Sequence, residues 1–351
     1  MTTPTLTVPI QNGRCENFPM SCKPVLNGVL WNLGSSAFPT EMLNYTASAA
    51  DWQADFNEMK HLGIKKLMLF TGVPQCMTRT AAAGKDLIDF IAGECDRCDM
   101  ELIIAAGGAP NGCWNIKMPD DLAFVKKHID QIHERYSGHP SFSGWYIDYE
   151  FTLAYGQWGE MLREMYRETV EMCKEKTPDL PVIASPFFNP PTETDIMHCG
   201  VHDPQEYYEY WRDLISYSKL DVISLQDNGG QHLSFFDSSI TEPYIAAFAK
   251  ACEENNCRFW GNVETGEFHI GSAREFTDKF GEKGDVNRLP QYWRPVPIDR
   301  LKAKLDLMSK YSESNLSWGY QAFYRPRMGA AAQEAYCNYE KYLKEYYPEI
   351  S

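Results

Sequence analysis

Gly144–Glu150 reads GWYIDYE. Its first residues have the apolar, aromatic make-up of a buried strand, yet two carboxylates, Asp148 and Glu150, arrive two positions apart at its end. Side chains on a strand alternate with period two, so Tyr146, Asp148 and Glu150 share one side. Taking a carboxylate out of water without partners costs several kcal/mol. Acids at the end of a buried strand are therefore either tied down by hydrogen bonds or kept for chemistry.

Outward from this stretch, short β-rich runs alternate with amphipathic ones. GVLWNL (28–33), IKKLMLFTG (64–72) and ELIIAAGG (101–108) precede it. LPVIASPFF (180–188), LDVISLQDN (220–228), CRFWGNVETGEF (257–268) and SWGYQAFYRPR (317–327) follow it. Between the first two lies DWQADFNEMKHLG, with Trp52, Phe56, Met59 and Leu62 at helical spacing, and WGEMLREMYRETVEMCKEK after the fourth is the clearest helix. Strict alternation implies a parallel sheet, and eight repeats close a ring, so the expected fold is an α/β (β/α)8 TIM barrel. A doubly wound sheet would carry GxGxxG after its first strand, and that pattern is missing. One barrel with inserted loops accommodates 351 residues, giving an N-terminal extension over 1–27 and a catalytic barrel over 28–351. The longer loops follow strands three, five and seven, at the C-terminal face where such barrels bind ligands.

A chain that is 44% hydrophobic and 13% aromatic has ample material for a large core. A net charge of −15 repels phosphate backbones and anionic lipid, which argues against nucleic acid and membrane partners. The eleven cysteines are odd in number and scattered, which suits a reducing compartment, and no leader is visible, so cytoplasm is the expected location. Cys95 and Cys98 have CxxC spacing without a second pair at zinc-site distance, so they read as a packed helical pair. Oligomeric state is not legible.

Strand four ends in Asp148 and Glu150, strand six in Gln226 and Asp227, and strand seven in Asn262 and Glu264, with Glu267 nearby as an alternative acid. Two carboxylates facing each other across a barrel mouth suffice for glycoside hydrolysis without a cofactor: one protonates the leaving oxygen, the other attacks the anomeric carbon or activates water. Trp31, Trp114, Tyr155, Trp158, Trp293 and Tyr324 are candidate stacking surfaces for sugar rings, while Tyr146, Gln226 and Asn262 can bond hydroxyls. The expected partner is a carbohydrate. For any one aromatic, core packing is the competing role; for Glu150, it is a salt bridge or helix-cap contact.

The ordered trio GWYIDYE, QDNGG and NVETGE resembles a family of glycoside-hydrolase-like TIM barrels classed as a domain of unknown function, marked by GWYxxxE, QDxxG and NVE strand ends. The resemblance runs from about residue 28 to about residue 327. It extends to barrel glycosidases with an acid/base on strand four and a glutamate nucleophile on strand seven, implying those roles for Glu150 and Glu264 and a retaining outcome. Those enzymes usually have Asn directly before the strand-four glutamate, where this chain has Tyr149. Two alternatives remain: a non-catalytic sugar-binding barrel, and a metal-dependent sugar isomerase or lyase using His198, His202, His232 or His269.

Overall fold

A computed structural model of the chain describes residues 22–33, 48–70, 73–78, 85–107, 115–191, 200–230, 238–281 and 292–350. Its strands are β1 (Gly28–Asn32), β2 (Lys66–Phe70), β3 (Glu101–Ala105), β4 (Phe142–Ile147), β5 (Val182–Ala184), β6 (Val222–Gln226), β7 (Arg258–Asn262), β8 (Gly266–Phe268), β9 (Trp293–Pro295) and β10 (Asn315–Ser317). The helices are α1 (Ala49–His61), α2 (Val73–Cys76), α3 (Leu87–Cys98), α4 (Asp120–Tyr136), α5 (Gly156–Lys176), α6 (Pro204–Ser218), α7 (Ser238–Glu254), α8 (Ala273–Phe280), α9 (Ile298–Met308), α10 (Tyr320–Phe323) and α11 (Ala330–Tyr346).

Eight of these strands close a parallel barrel in the order β1-β10-β7-β6-β5-β4-β3-β2, the expected (β/α)8 architecture. Closure is made by β1, whose Gly28 pairs with Lys66 on one side and Leu316 on the other. Gly28 fits because a Cβ there would meet the Lys66 side chain at 2.8 Å. The barrel strands are almost wholly buried, as a sheet packed on both faces requires. Around them the helices turn one apolar face inward: α5 buries Leu162, Met165, Tyr166, Val170 and Cys173 at helical spacing. Cys95 and Cys98 are both buried on α3.

Most strands are shorter than their sequence patterns imply, and two of the patterns run on into other structure. The stretch 257–268 divides: β7 stops at Asn262, and β8 leaves the ring to pair antiparallel with β9. At Gly266 the backbone passes so close to Phe323 that a Cβ would lie 2.1 Å from its ring. The eighth barrel strand is Asn315–Ser317 rather than the expected 317–327: it ends where that run begins, after which Gly319 takes φ +97° and the chain coils into α10. All four residues of α10 are buried, and a short apolar run carries no periodicity that separates strand from helix.

The segment after the last strand is bound to the first helix by a buried ion pair. Arg325 Nη1 lies 3.1 Å from Asp55 Oδ2 on α1, with side chains 1% and 0% exposed, and Arg327 Nε reaches Asp55 Oδ1 at 3.1 Å. Removing one member leaves a buried charge uncompensated. Asp55→Ala is expected to lower the unfolding free energy by about 3–5 kcal/mol in urea titrations; a loss below about 1 kcal/mol would show that this pair does not hold the two ends together.

Candidate active site

Parallel register carries side-chain direction from strand to strand. On β6 and β7, Gln226 pairs with Asn262, and on β3 and β4, Ala105 pairs with Tyr146. These residues face the barrel axis at the C-terminal end, together with Asn32 on β1 and its partner Phe70 on β2. The Phe70 ring meets Tyr146 edge-on at 6.5 Å. Glu150 and Glu264 lie in the turns just beyond β4 and β7, with β5 and β6 between those strands on the short way round the ring.

Glu150 is partly buried. It accepts a hydrogen bond from Tyr146 Oη at 2.7 Å and is also bonded to the Gln226 side chain. The turn carrying it is fixed from outside: Tyr166 on α5 donates to the Tyr149 carbonyl at 2.6 Å, and the Tyr149 ring packs against Tyr166. Tyr149 thus faces the helical layer while Glu150 faces the mouth. Loss of hydration raises the Glu150 carboxyl to a pKa of about 7, opposed by its bonds from Tyr146 and Gln226 and reinforced by the nearby Asp148 charge. Repulsion from Asp148 acts in the same direction as burial, and burial is the larger cause.

Glu264 is 2% exposed. Its Oε2 accepts the Gly230 N–H at 2.6 Å, and the lack of room for a side chain beside that bond explains the second glycine of QDNGG. A Cβ on Gly230 would lie 2.1 Å from the Gly266 carbonyl and 2.9 Å from Glu264 Oε2. Between the two acids runs a polar bridge. Gln226 Nε2 donates to the Ser185 carbonyl at 2.9 Å, and Asn262 Nδ2 to Ser185 Oγ at 3.2 Å. Asn262 Oδ1 accepts from Trp318 N–H at 2.9 Å. Asn262 is thus held at both ends of its amide and Gln226 through its nitrogen, which presents a fixed array rather than rotamers that must be ordered when a ligand arrives.

The other candidates divide. Trp293 lies beside this array, its ring 5.9 Å from Trp318 and 5.7 Å from Phe323. Asp227 is not a free acid: its Oδ2 is 3.1 Å from Lys304 Nζ. Glu267 is 1% exposed between Arg294 and Arg300, at 2.6 and 3.0 Å, so its oxygens serve an ion-pair cluster rather than a sugar. Trp31 is 1% exposed and packs on Trp52 and under Arg325, on the outer side of β1. Parity there presents its neighbour Asn32 to the mouth. Tyr324 is equally buried; it follows α10 rather than ending a strand, donates to the Val296 carbonyl at 3.0 Å and packs on Tyr339. Neither ring has a face left for a ligand.

Tyr155 is 58% exposed beside His202 and Tyr210, whereas Trp158 packs on Phe151. Trp114, His198 and His232 lie outside the described residues. His202 Nδ1 is 3.4 Å from Glu206, and His269 is exposed. Among the described residues, no group of three or more His, Cys, Asp and Glu is placed to hold a metal ion, and no helix is long and apolar enough to cross a membrane.

The sequence reading missed Asn32, Ser185, Gly230 and Lys304. Strand parity at GVLWN could have exposed Asn32, but nothing local marks Lys304, which lies on a helix and reaches the site only through tertiary packing.

Residues 37–330 match the family model described as Domain of unknown function (DUF4434). The chain belongs to the DUF4434 family. No curated protein sequence matches it. Among solved structures, this DUF4434 barrel is similar to a candidate α-L-fucosidase from Bacteroides thetaiotaomicron VPI-5482, at 18% identity and a TM-score of 0.70 over 99% of this chain and 100% of that one. It is also similar to β-galactosidase from Bacillus circulans sp. alkalophilus (11% identity, TM-score 0.52, 93% of this chain and 57% of that one). A β-glucuronidase from an uncultured Clostridium sp. gives 12% identity and a TM-score of 0.51 over 91% of this chain and 50% of that one. The DUF4434 chain therefore spans about half the length of the latter two enzymes and shares its barrel with all three.

The Glu150 environment has a consequence measurable without a substrate. A carboxyl whose pKa rises from 4.5 to about 7 on folding contributes stability that is fully present below pH 4.5 and is lost as the pH rises through about 7. Between pH 4.5 and 8 this one group should withdraw about 2–3 kcal/mol from the wild-type protein, allowing for its partial contact with solvent. Glu150→Gln should lack that component in denaturant titrations across the same range. Parallel stability curves for the two proteins would mean that Glu150 ionises like an exposed carboxylate.

Proposed function

We propose that this protein is a retaining glycoside hydrolase in which Glu150 is the general acid/base and Glu264 the nucleophile. The observation that carries the reading is the divergence of the two acids' surroundings. Glu150 is partly withdrawn from water and holds its proton to about pH 7, as a group that must protonate a leaving oxygen near neutrality should. Glu264 is buried against a main-chain N–H, a donor suited to an ionised carboxylate.

In the first step Glu150 gives its proton to the glycosidic oxygen while Glu264 attacks the anomeric carbon, leaving a glycosyl ester on Glu264. In the second, Glu150 takes a proton from water, which displaces Glu264 and restores both groups. On this reading Gln226 bonds sugar hydroxyls, Asn262 holds Ser185 and Trp318 around them, and Trp293 stacks on a sugar ring. The solved barrels described above point to the first sugars to try: α-L-fucosides, β-galactosides and β-glucuronides, within a broader panel of oligosaccharides and aryl glycosides.

Wild-type protein should hydrolyse at least one member of such a panel, with kcat/KM falling above about pH 7 as Glu150 loses its proton. Glu150→Gln should lower kcat by about 10²–10⁴-fold on substrates with poor leaving groups, and Glu264→Gln should abolish turnover. NMR should show first-formed product with the substrate's anomeric configuration. Inversion would remove the nucleophile assignment, and saccharide binding without turnover would make the barrel a sugar-binding module.

A further inference from the structure

Lys304, on α9, touches both the ion pair and the backbone of the residue assigned as nucleophile. Its Nζ is 3.1 Å from Asp227 Oδ2 and donates to the Glu264 carbonyl at 2.5 Å, with its side chain only 11% exposed. Asp227, in turn, accepts the Glu264 N–H at 3.3 Å and the Gly229 N–H at 3.0 Å through Oδ1. The two main-chain polar groups of Glu264 are thus held by opposite members of one ion pair. One turn earlier on α9, Arg300 donates to the Gly229 carbonyl at 3.1 Å and pairs with Glu267. Arg300 and Lys304 therefore hold both the turn 227–230 and residue 264, and the Gly230 N–H bond to Glu264 Oε2 spans the two. Gly229 leaves room for this: a Cβ there would meet Lys304 Cε at 2.7 Å.

We infer that Lys304 is a positioning residue for Glu264, fixing its backbone through the Asp227 pair and thereby the aim of its carboxylate. A neutral side chain of equal length would free the Glu264 carbonyl and leave Asp227 as a charge in a largely dry site, so the turn would shift and the Gly230 bond would lengthen. Displacing a reacting group by about 1 Å costs on the order of 10²-fold in rate. The kinetic consequence rests on the glycosidase reading; the geometric one does not.

The test pairs a substrate-free readout with kinetics. The chain contains two Gly–Gly pairs, 107–108 and 229–230. Protein grown on glycine labelled with ¹³C at the carbonyl and ¹⁵N at the amide therefore gives two carbonyl-correlated amide signals, and the one that moves in Glu264→Gln belongs to Gly230. In Lys304→Met that signal should move upfield, as a hydrogen bond to carboxylate weakens. It should return toward wild type in Lys304→Arg, which keeps the charge and the donors. The double variant Asp227→Asn/Lys304→Met removes both charges; it guards against simple misfolding of the single variant and should show the same upfield shift.

On whichever panel glycoside the wild type hydrolyses, Lys304→Met should lower kcat about 10- to 100-fold, leave KM within about twofold, and be partly rescued by Lys304→Arg. A Gly230 signal unmoved in folded Lys304→Met and in the double variant would overturn the inference, whatever the kinetics. Activity lost only in proportion to unfolded protein would overturn it equally. If no glycoside is turned over by wild type, the functional reading fails, and the amide shift alone decides whether Lys304 positions Glu264.

Discussion

In a closed parallel ring, the direction of one side chain commits its registered neighbours. Gln226 opposite Asn262, and Asn32 opposite Phe70, are consequences of hydrogen-bond register before they are features of a site. Because the ring has no free edge, a slip at one strand would have to pass through every other. Side-chain direction at the mouth is accordingly set by the register of the ring as far as the strands run.

Within that frame the two glutamates meet the cost of burial differently. Glu150 is served by side chains, a phenol and an amide, that lie within the same layer and leave part of it accessible. Glu264 is served by main chain, and this main chain is secured by Asp227 at the end of β6 together with Arg300 and Lys304 from a helix outside the ring. A protonation equilibrium is thereby left open at one acid while position is over-determined at the other. Desolvation sets the behaviour of the first; geometry sets that of the second.

Much of this was legible in the sequence, for reasons that differ by residue. Alternating patterns revealed seven of the barrel strands because each is a short apolar run flanked by an amphipathic helix, whereas the run read as the eighth shares only Ser317 with the strand that closes the ring, and the acids stood out because carboxylates are rare at such ends. The run 257–268 misled because Gly266 marks a departure from the ring that period-two reading cannot detect. Tyr324 misled in the same way, since an all-buried helix such as α10 has no polar face to betray it. Trp31 was drawn to the mouth by its chemistry, whereas parity assigns it to the outer layer and Asn32 to the inner one. Asp227 and Glu267 announced themselves as acids, but their cationic partners Lys304, Arg294 and Arg300 lie far along the chain, and only folding brings them together.

The closing contacts of the barrel also bear on how it is made. Gly28 pairs with Leu316, and Asp55 is neutralised by Arg325, so the first strand and helix of the barrel depend on residues that are synthesised after every other strand of the ring. Until then β1 has an open edge on the side where β10 belongs, and α1 carries a carboxylate without its buried counter-charge. Vectorial synthesis therefore delivers most of the ring as an unfinished sheet, the kind of species that pairs with other chains.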